Sequence, residues 1–209
     1  MNYQIKSGDI INSLKAKLNK AIETANHWEL LANTDDLTGL HNRRMLNNVD
    51  KKIANRRNAS IADEITLLFI DLDDFGKLNK KYGDDMGDEA LRLLGHAIQK
   101  NIRTDDIAIR KGGDEFVIIL MGSNPETASE TIVKRLQLML DGELLLYIAN
   151  ISIPIRGSIG VFSYNRSLSP FENLKHADEL MRRQKQVRKA FITPSPIMLS
   201  SGQYQSDIL

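Results

Sequence analysis

The chain has 209 residues, 42% apolar and 26% charged, with a formal net charge of +1 and no cysteine. This composition fits one soluble globular domain with extensions and excludes disulfides and thiolate metal centres. It supplies no global field for nucleic acid or an anionic membrane, no apolar run of membrane-spanning length, and no secretory leader core in Met1–Gly8. A cytoplasmic protein without a nucleic-acid or membrane partner is the expectation.

Residues 1–8 look frayed. From about Asp9 to Asn33 the pattern is helical, with Ile11, Leu14, Leu18, Ala21, Ala25, Trp28 and Ala32 at alternating spacings of three and four. Two readings stay open: an amphipathic helix packed on its own domain, or a parallel coiled coil joining two protomers. Residues 1–33 thus read as a helical stalk, 34–189 as the main globular domain, and the Ser-, Pro- and Gln-rich 190–209 as a disordered tail. Thr34–Arg44 reads as a turn and cap leading into a helix from about Asn42 to Arg57, followed by a polar loop at 58–63. The apolar run 65–70 is long enough for a buried strand and ends in Asp71-Leu72-Asp73-Asp74. A short helical piece near Lys77–Lys81 follows. Asp84 or Asp85 then caps a helix to about Lys100, with Leu91, Leu94, Ile98 and Ile102 on its inner side. Asp88 falls in that helix's first turn, where the dipole alone accounts for a carboxylate.

Ile107–Ile109 and Phe116–Leu120 flank Gly112-Gly113-Asp114-Glu115, which reads as a β-hairpin. The glycines supply positive φ and let another molecule approach the backbone. Adjacent carboxylates at Asp114 and Glu115 are a poor device for stability and a good one for a hard cation. Alone, such a turn is more often a charged surface loop; Asp71 at a strand end favours one shared two-metal phosphate site. Ser123-Asn124-Pro125-Glu126 opens a helix to about Leu140. Leu144–Ile153 and Gly157–Ser163 read as two strands connected through Pro154. Ser169 and Pro170 open a last helix to about Lys189, whose basic end suits the dipole or, through Lys185 and Lys189, a triphosphate. These elements make an α/β sandwich with a mixed sheet and function at one sheet edge.

The chain resembles the GGDEF domain of diguanylate cyclases. Gly112-Gly113-Asp114-Glu115-Phe116 is the naming motif without substitution. In order, Asp36-Leu37-Thr38-Gly39-Leu40 with Asn42-Arg43-Arg44, Asp71-Leu72-Asp73 with Phe75 and Asn79, Gly83-Gly87-Asp88, Ser158-Ile159-Gly160-Val161, and Ala177-Asp178 with Lys185 match further family motifs across about 34–189. The resemblance implies an α/β fold with the palm-like mixed β-sheet of nucleotide cyclases and polymerases, covered by helices. It implies a homodimer with one GTP per protomer, each 3′-hydroxyl attacking the other's α-phosphate to give cyclic di-GMP and two pyrophosphates. Asp71, the Leu72 carbonyl, Asp114 and Glu115 would hold magnesium or manganese, with Asp114 also the candidate base beside Glu115 as catalytic residues. Phe75, Gly76, Asn79, Asp88, Gly112, Gly113, Lys185 and Lys189 would contact substrate, Asn79 and Asp88 reading the guanine edge. Arg103 and Asp106 fit the family's inhibitory product site, for which no second arginine is placed.

Several positions depart from the family pattern. Gly76 stands where a lysine is usual, Asp84-Asp85 where His-Asp is usual, Arg182 for a tyrosine, and Arg188-Lys189 for Gly-Arg. These touch phosphate and base binding and leave the metal carboxylates intact, so an active enzyme with weakened GTP affinity is expected. The competing reading is a catalytically silent module that binds GTP or cyclic di-GMP. Mixed GMP–AMP synthesis is disfavoured by Asp88, which accepts from guanine's N1–H and amino group together.

Overall fold

The computed structural model describes residues 2–54, 64–148 and 151–192, with side chains over 8–25, 27–54, 64–147 and 152–188. A single helix, α1 (Asn2–Asn33), leads into the domain, and the residues expected to fray continue its backbone. Its seam does not lie on the domain: Leu14 is 59% exposed, Leu18 60% and Trp28 64%. That removes the reading of a helix packed on its own core.

Strand β1 (His41–Asn42), a 3-10 stretch (Arg43–Asn48) and helix α2 (Val49–Ala54) replace the single helix predicted from Asn42. The reason lies in the Asn42 side chain. Its oxygen accepts from Arg44 N at 2.9 Å, and its Nδ2 donates to Ala32 O at 2.8 Å and Thr34 O at 3.0 Å. Those bonds hold Asn42 extended and tie it to the end of α1, so the helix starts late. Arg57 and the loop 58–63 lie outside the described residues.

Strand β2 (Ile65–Leu72) follows, then α3 (Phe75–Tyr82), α4 (Asp84–Asn101) and the hairpin β3 (Ile107–Gly112) with β4 (Glu115–Met121). Next come α5 (Pro125–Ala128) and α6 (Lys134–Leu138), with π-helical stretches at Ser129–Val133 and Met139–Glu143. Strands β5 (Leu145–Ile148), β6 (Ile151–Pro154) and β7 (Gly157–Ser163) precede α7 (Pro170–Ile192). The main sheet has the order β1-β3-β4-β2-β7, with β1 parallel to β3 and the other pairs antiparallel. This is the mixed sheet covered by helices that the sequence predicts. β2 is an interior strand between β4 and β7 and is covered on both faces, hence an unbroken apolar run rather than an alternating one. Leu68 and Ile70 pack in one core with Leu91, Leu94 and Ile98 of α4; Leu67 and Phe69 pack in the other with Val49, Ala177 and Met181.

Further expectations need correction. The strand expected over Leu144–Ile153 is two strands, β5 and β6, paired only with each other as a separate sheet. Pro154 ends β6 instead of lying in the connection; a ribbon edge tolerates its missing N–H. Helix α4 is preceded by Gly83, at φ 89° with no side-chain cap, so Asp84 and Asp85 lie within the first turn and not at the cap. Asp88 is thereby moved past the first turn, where the dipole accounts for it less well. Finally, α7 continues to Ile192, into the segment expected to be disordered; 193–209 lie outside the described residues.

Candidate active site

Asp71, next to last in β2, is paired in register with Glu115 on β4 and Ser158 on β7. Leu72 N donates to Asp114 O at 3.3 Å, so the strand end and the hairpin tip meet. Gly112 and Gly113 turn the tip with φ of 155° and 55°, and a side chain at either would meet nothing within 4 Å. The tip backbone is therefore open to a ligand. Glu115 is paired with Lys111 at 2.5 Å, while the Asp114 carboxylate makes no hydrogen bond or ion pair among the described residues.

The tip is braced from behind. Arg110 Nε donates to Gly113 O at 3.0 Å, and the same guanidinium reaches both Asp35 oxygens at 3.2 and 3.3 Å. Asp35 Oδ1 also accepts from Thr38 N and Thr38 Oγ1. Burial opposes ionisation of Asp35, but the Thr38 bonds and Arg110 outweigh it and hold the carboxyl below its usual value. A depressed carboxylate contributes stability above its unfolded pKa and loses it as pH falls through the folded value. Asp35→Asn is accordingly expected to lower the thermal midpoint at neutral pH and to narrow its gap from the parent below about pH 4, in melts scanned against pH.

Lys185, from α7, meets this sheet end. Its ammonium bonds Asp71 Oδ1 and lies 3.2 Å from Leu72 O and 3.5 Å from Asp73 Oδ1. Burial raises the Asp71 pKa, Lys185 opposes that, and the Asp114 and Asp73 charges add to the rise. Lys185 is desolvated too, yet Asp71 and Asp73 hold its pKa above the usual value. Asp73 is fixed by Ser158 Oγ, which donates to it at 3.2 Å. The oxygens assigned to a metal thus fit one: Asp71 Oδ1 and the Leu72 carbonyl already converge on a cation, the Lys185 ammonium. Among the described residues no three carboxylate or imidazole groups form a ready-made cage. Lys189 also lies on α7, and its side chain falls outside those described.

Phe75 and Gly76 open α3 just beyond this point, and Asn79 follows one turn on. Lys77, beside the position where the family lysine is missing, is turned to Asp74 at 2.9 Å on the surface. Asn79 Oδ1 is buried with no hydrogen-bond partner. An unpaired buried acceptor carries a desolvation cost that a ligand N–H would relieve. Gly87, one residue before Asp88, makes room for it: a Cβ there would stand 2.0 Å from Asn79 Oδ1. Gly87→Ala is expected to turn the Asn79 carboxamide away and weaken binding of a GTP analogue about tenfold in calorimetry, with little change in thermal midpoint.

The residues expected to bind product lie at the end of the hairpin strands away from the tip. The Arg103–Asp106 turn lines a cavity of about 300 Å³ with Ser123, Thr127, Thr131 and Arg135. Asp106 is occupied with backbone, accepting from Arg103 N at 2.8 Å and Met121 N at 2.9 Å. Arg103 and Arg135 are both exposed at the rim. Arg135 brings a second guanidinium to this cavity, where sequence reasoning placed none. The π-helical stretch before α6 shifts the helical phase, so a 3.6-residue period does not distinguish Lys134 from Arg135.

The model of the family "Diguanylate cyclase, GGDEF domain" matches residues 32–190, and the chain belongs to that family. The response regulator PleD of Caulobacter vibrioides is 38% identical over 115 residues, 54% of this chain and 24% of its own length. The probable diguanylate cyclase DgcC of Escherichia coli is 32% identical over 175 residues, 80% of this chain and 44% of its own length. The chain therefore spans less than half of either relative. The coiled coil and GGDEF domain of DgcB from Caulobacter crescentus, solved in complex with c-di-GMP, shares the fold with a TM-score of 0.71 at 20% identity, over 86% of this chain and 94% of that one. No helix among the described residues is long and apolar enough to cross a membrane.

Proposed function

We propose that the chain is a diguanylate cyclase, condensing two GTP into cyclic di-GMP and two pyrophosphates across a homodimer with one GTP per protomer. The observation that supports this best is the meeting of Asp71 with the Asp114-Glu115 tip, all motif carboxylates retained. Bound magnesium or manganese would neutralise the triphosphate and polarise the α-phosphate. Asp71, the Leu72 carbonyl, Asp114 and Glu115 would hold that ion. Asp114 accepts the proton of the 3′-hydroxyl presented by the facing protomer. The unpartnered Asn79 oxygen accepts from guanine, and Asp88 accepts from N1–H and the amino group, which adenine does not offer. Lys185 and Lys189 meet the phosphates, and Phe75, Gly76, Gly112 and Gly113 line their path.

Each half-site holds one substrate, so turnover needs two protomers. The exposed α1 seam supplies a surface for pairing them as a parallel coiled coil. Purified protein incubated with GTP and magnesium should yield cyclic di-GMP on nucleotide chromatography, with specific activity falling on dilution. Tight nucleotide binding with no product at any concentration would favour the silent-module reading instead.

The cavity at Arg103 favours a second role for cyclic di-GMP, as an inhibitor held by guanidinium groups from the Arg103 turn and α6. Arg135→Ala is expected to weaken binding of added cyclic di-GMP about tenfold in calorimetry.

A further inference from the structure

Lys185 is a phosphate ligand in the reading above, yet in the structure its ammonium lies on the metal ligands. It bonds Asp71 Oδ1 and sits 3.2 Å from Leu72 O, the oxygens assigned to the divalent ion, with Asp73 Oδ1 at 3.5 Å as a third neighbour. An ammonium and a divalent cation compete for those oxygens. Sharing them would hold two like charges close together at a half-buried site, where water screens repulsion less than in bulk.

We propose that Lys185 and the divalent cation exclude one another at Asp71, and that nucleotide phosphates resolve the competition by receiving the displaced ammonium. This rests on the proposed function for the metal site and the identity of the nucleotide, but not on turnover. The scaffold suits such an exchange. Helix α7 is held close to β7: Gln184 Oε1 accepts from Ile159 N at 2.6 Å, and Met181 is buried. The lysine stem, with four rotatable carbons, can swing while its helix stays fixed. The charge balance requires a cation at all times. Asp71 feels Asp114 and Asp73 as like charges, and Lys185 is the cation bonded to it. Lysine therefore offsets the Asp71 charge before metal arrives, and metal binding must displace an existing ion pair.

Coupling follows by linkage. Alone, metal binds weakly because Lys185 must leave into water. With a triphosphate beside the site, the ammonium exchanges one anion for another, and metal affinity rises; reciprocally, metal raises nucleotide affinity by the same factor. A static role for Lys185, in which it merely positions Asp71 as a ligand, requires the opposite sign on removal.

The test is manganese binding to full-length protein without nucleotide, read from the paramagnetic signal of free Mn²⁺. Lys185→Met is expected to bind Mn²⁺ about tenfold tighter than the parent, and Lys185→Arg to remain near the parent. A GTP analogue with a non-cleavable α–β bridge should tighten Mn²⁺ binding in the parent and do so far less in Lys185→Met. Equal or weaker Mn²⁺ binding by folded Lys185→Met overturns the proposal. Should that variant not fold, the parent alone decides: Mn²⁺ without nucleotide should increase acetylation of the Lys185 amine in peptide mapping, and unchanged labelling at saturating Mn²⁺ overturns it. A chain that shows this competition but makes no cyclic di-GMP would refute the cyclase reading and leave the exchange standing.

Discussion

Asp114→Asn is expected to reduce cyclic di-GMP formation by about a thousandfold or more while leaving the thermal midpoint within about 2 °C of the parent. The two expectations come from different features of one position. Asp114 sits at the tip of the β3–β4 hairpin, only partly buried, and supports no core side chain. Asparagine keeps its shape and its tolerance of turn backbone, so the hairpin has no reason to change. What it lacks is the negative charge and the basic oxygen. Both roles proposed for Asp114, holding the divalent ion and taking the hydroxyl proton, need those. The tip itself stays fixed by Arg110, whose guanidinium spans Gly113 O and Asp35. Product analysis and a thermal melt on the same preparation check the pair. Activity within tenfold of the parent, or an unfolded variant, would remove Asp114 from the chemistry.

Much of this was legible in the sequence, for identifiable reasons. β2 announced itself because a strand covered on both faces carries an uninterrupted apolar run. The hairpin did so because its two glycines take backbone angles of 155° and 55°, both on the positive side. The meeting of Asp71 with the tip followed from strands that end in acid at one sheet edge. Other features depend on side chains reaching across the chain, which periodicity does not record. Asn42 delays a helix by bonding Ala32 and Thr34. Asp35, rather than the neighbouring Asp36 of the opening motif, carries the brace to Arg110. Its signal was available, since an aspartate three residues before a threonine is a capping pattern, and Thr38 N and Oγ1 both bond it. Lys185 was recognised as a cation near phosphate, but its bond to Asp71 spans most of the domain and no local pattern reports it. Arg135 was hidden by a change of helical pitch.

Gly160→Ala is expected to be the most destabilising single-methyl addition, costing about 3 kcal/mol or more and lowering the thermal midpoint by roughly 10 °C. A Cβ at this position in β7 would stand 2.3 Å from Ala177 O and 2.5 Å from Met181 N. Both are backbone atoms of α7, so no side-chain rotation relieves the clash; the helix must move off the sheet. At Gly87, by contrast, the obstructing atom is the end of the Asn79 side chain, which can turn aside. Displacing α7 also opens the core at Ala177 and Met181, both buried to 2% exposure or less. The consequence reaches the site, because Lys185 rides on the same helix one turn beyond Met181. Gly160→Ala should therefore weaken binding of a GTP analogue at temperatures where the protein is still folded, while Asp114→Asn leaves the melt intact. Melts and analogue titrations of the two variants side by side separate a site that has lost its charge from one that has lost its support. A Gly160→Ala protein that melts with the parent would mean that α7 does not press on β7 as closely as these distances require.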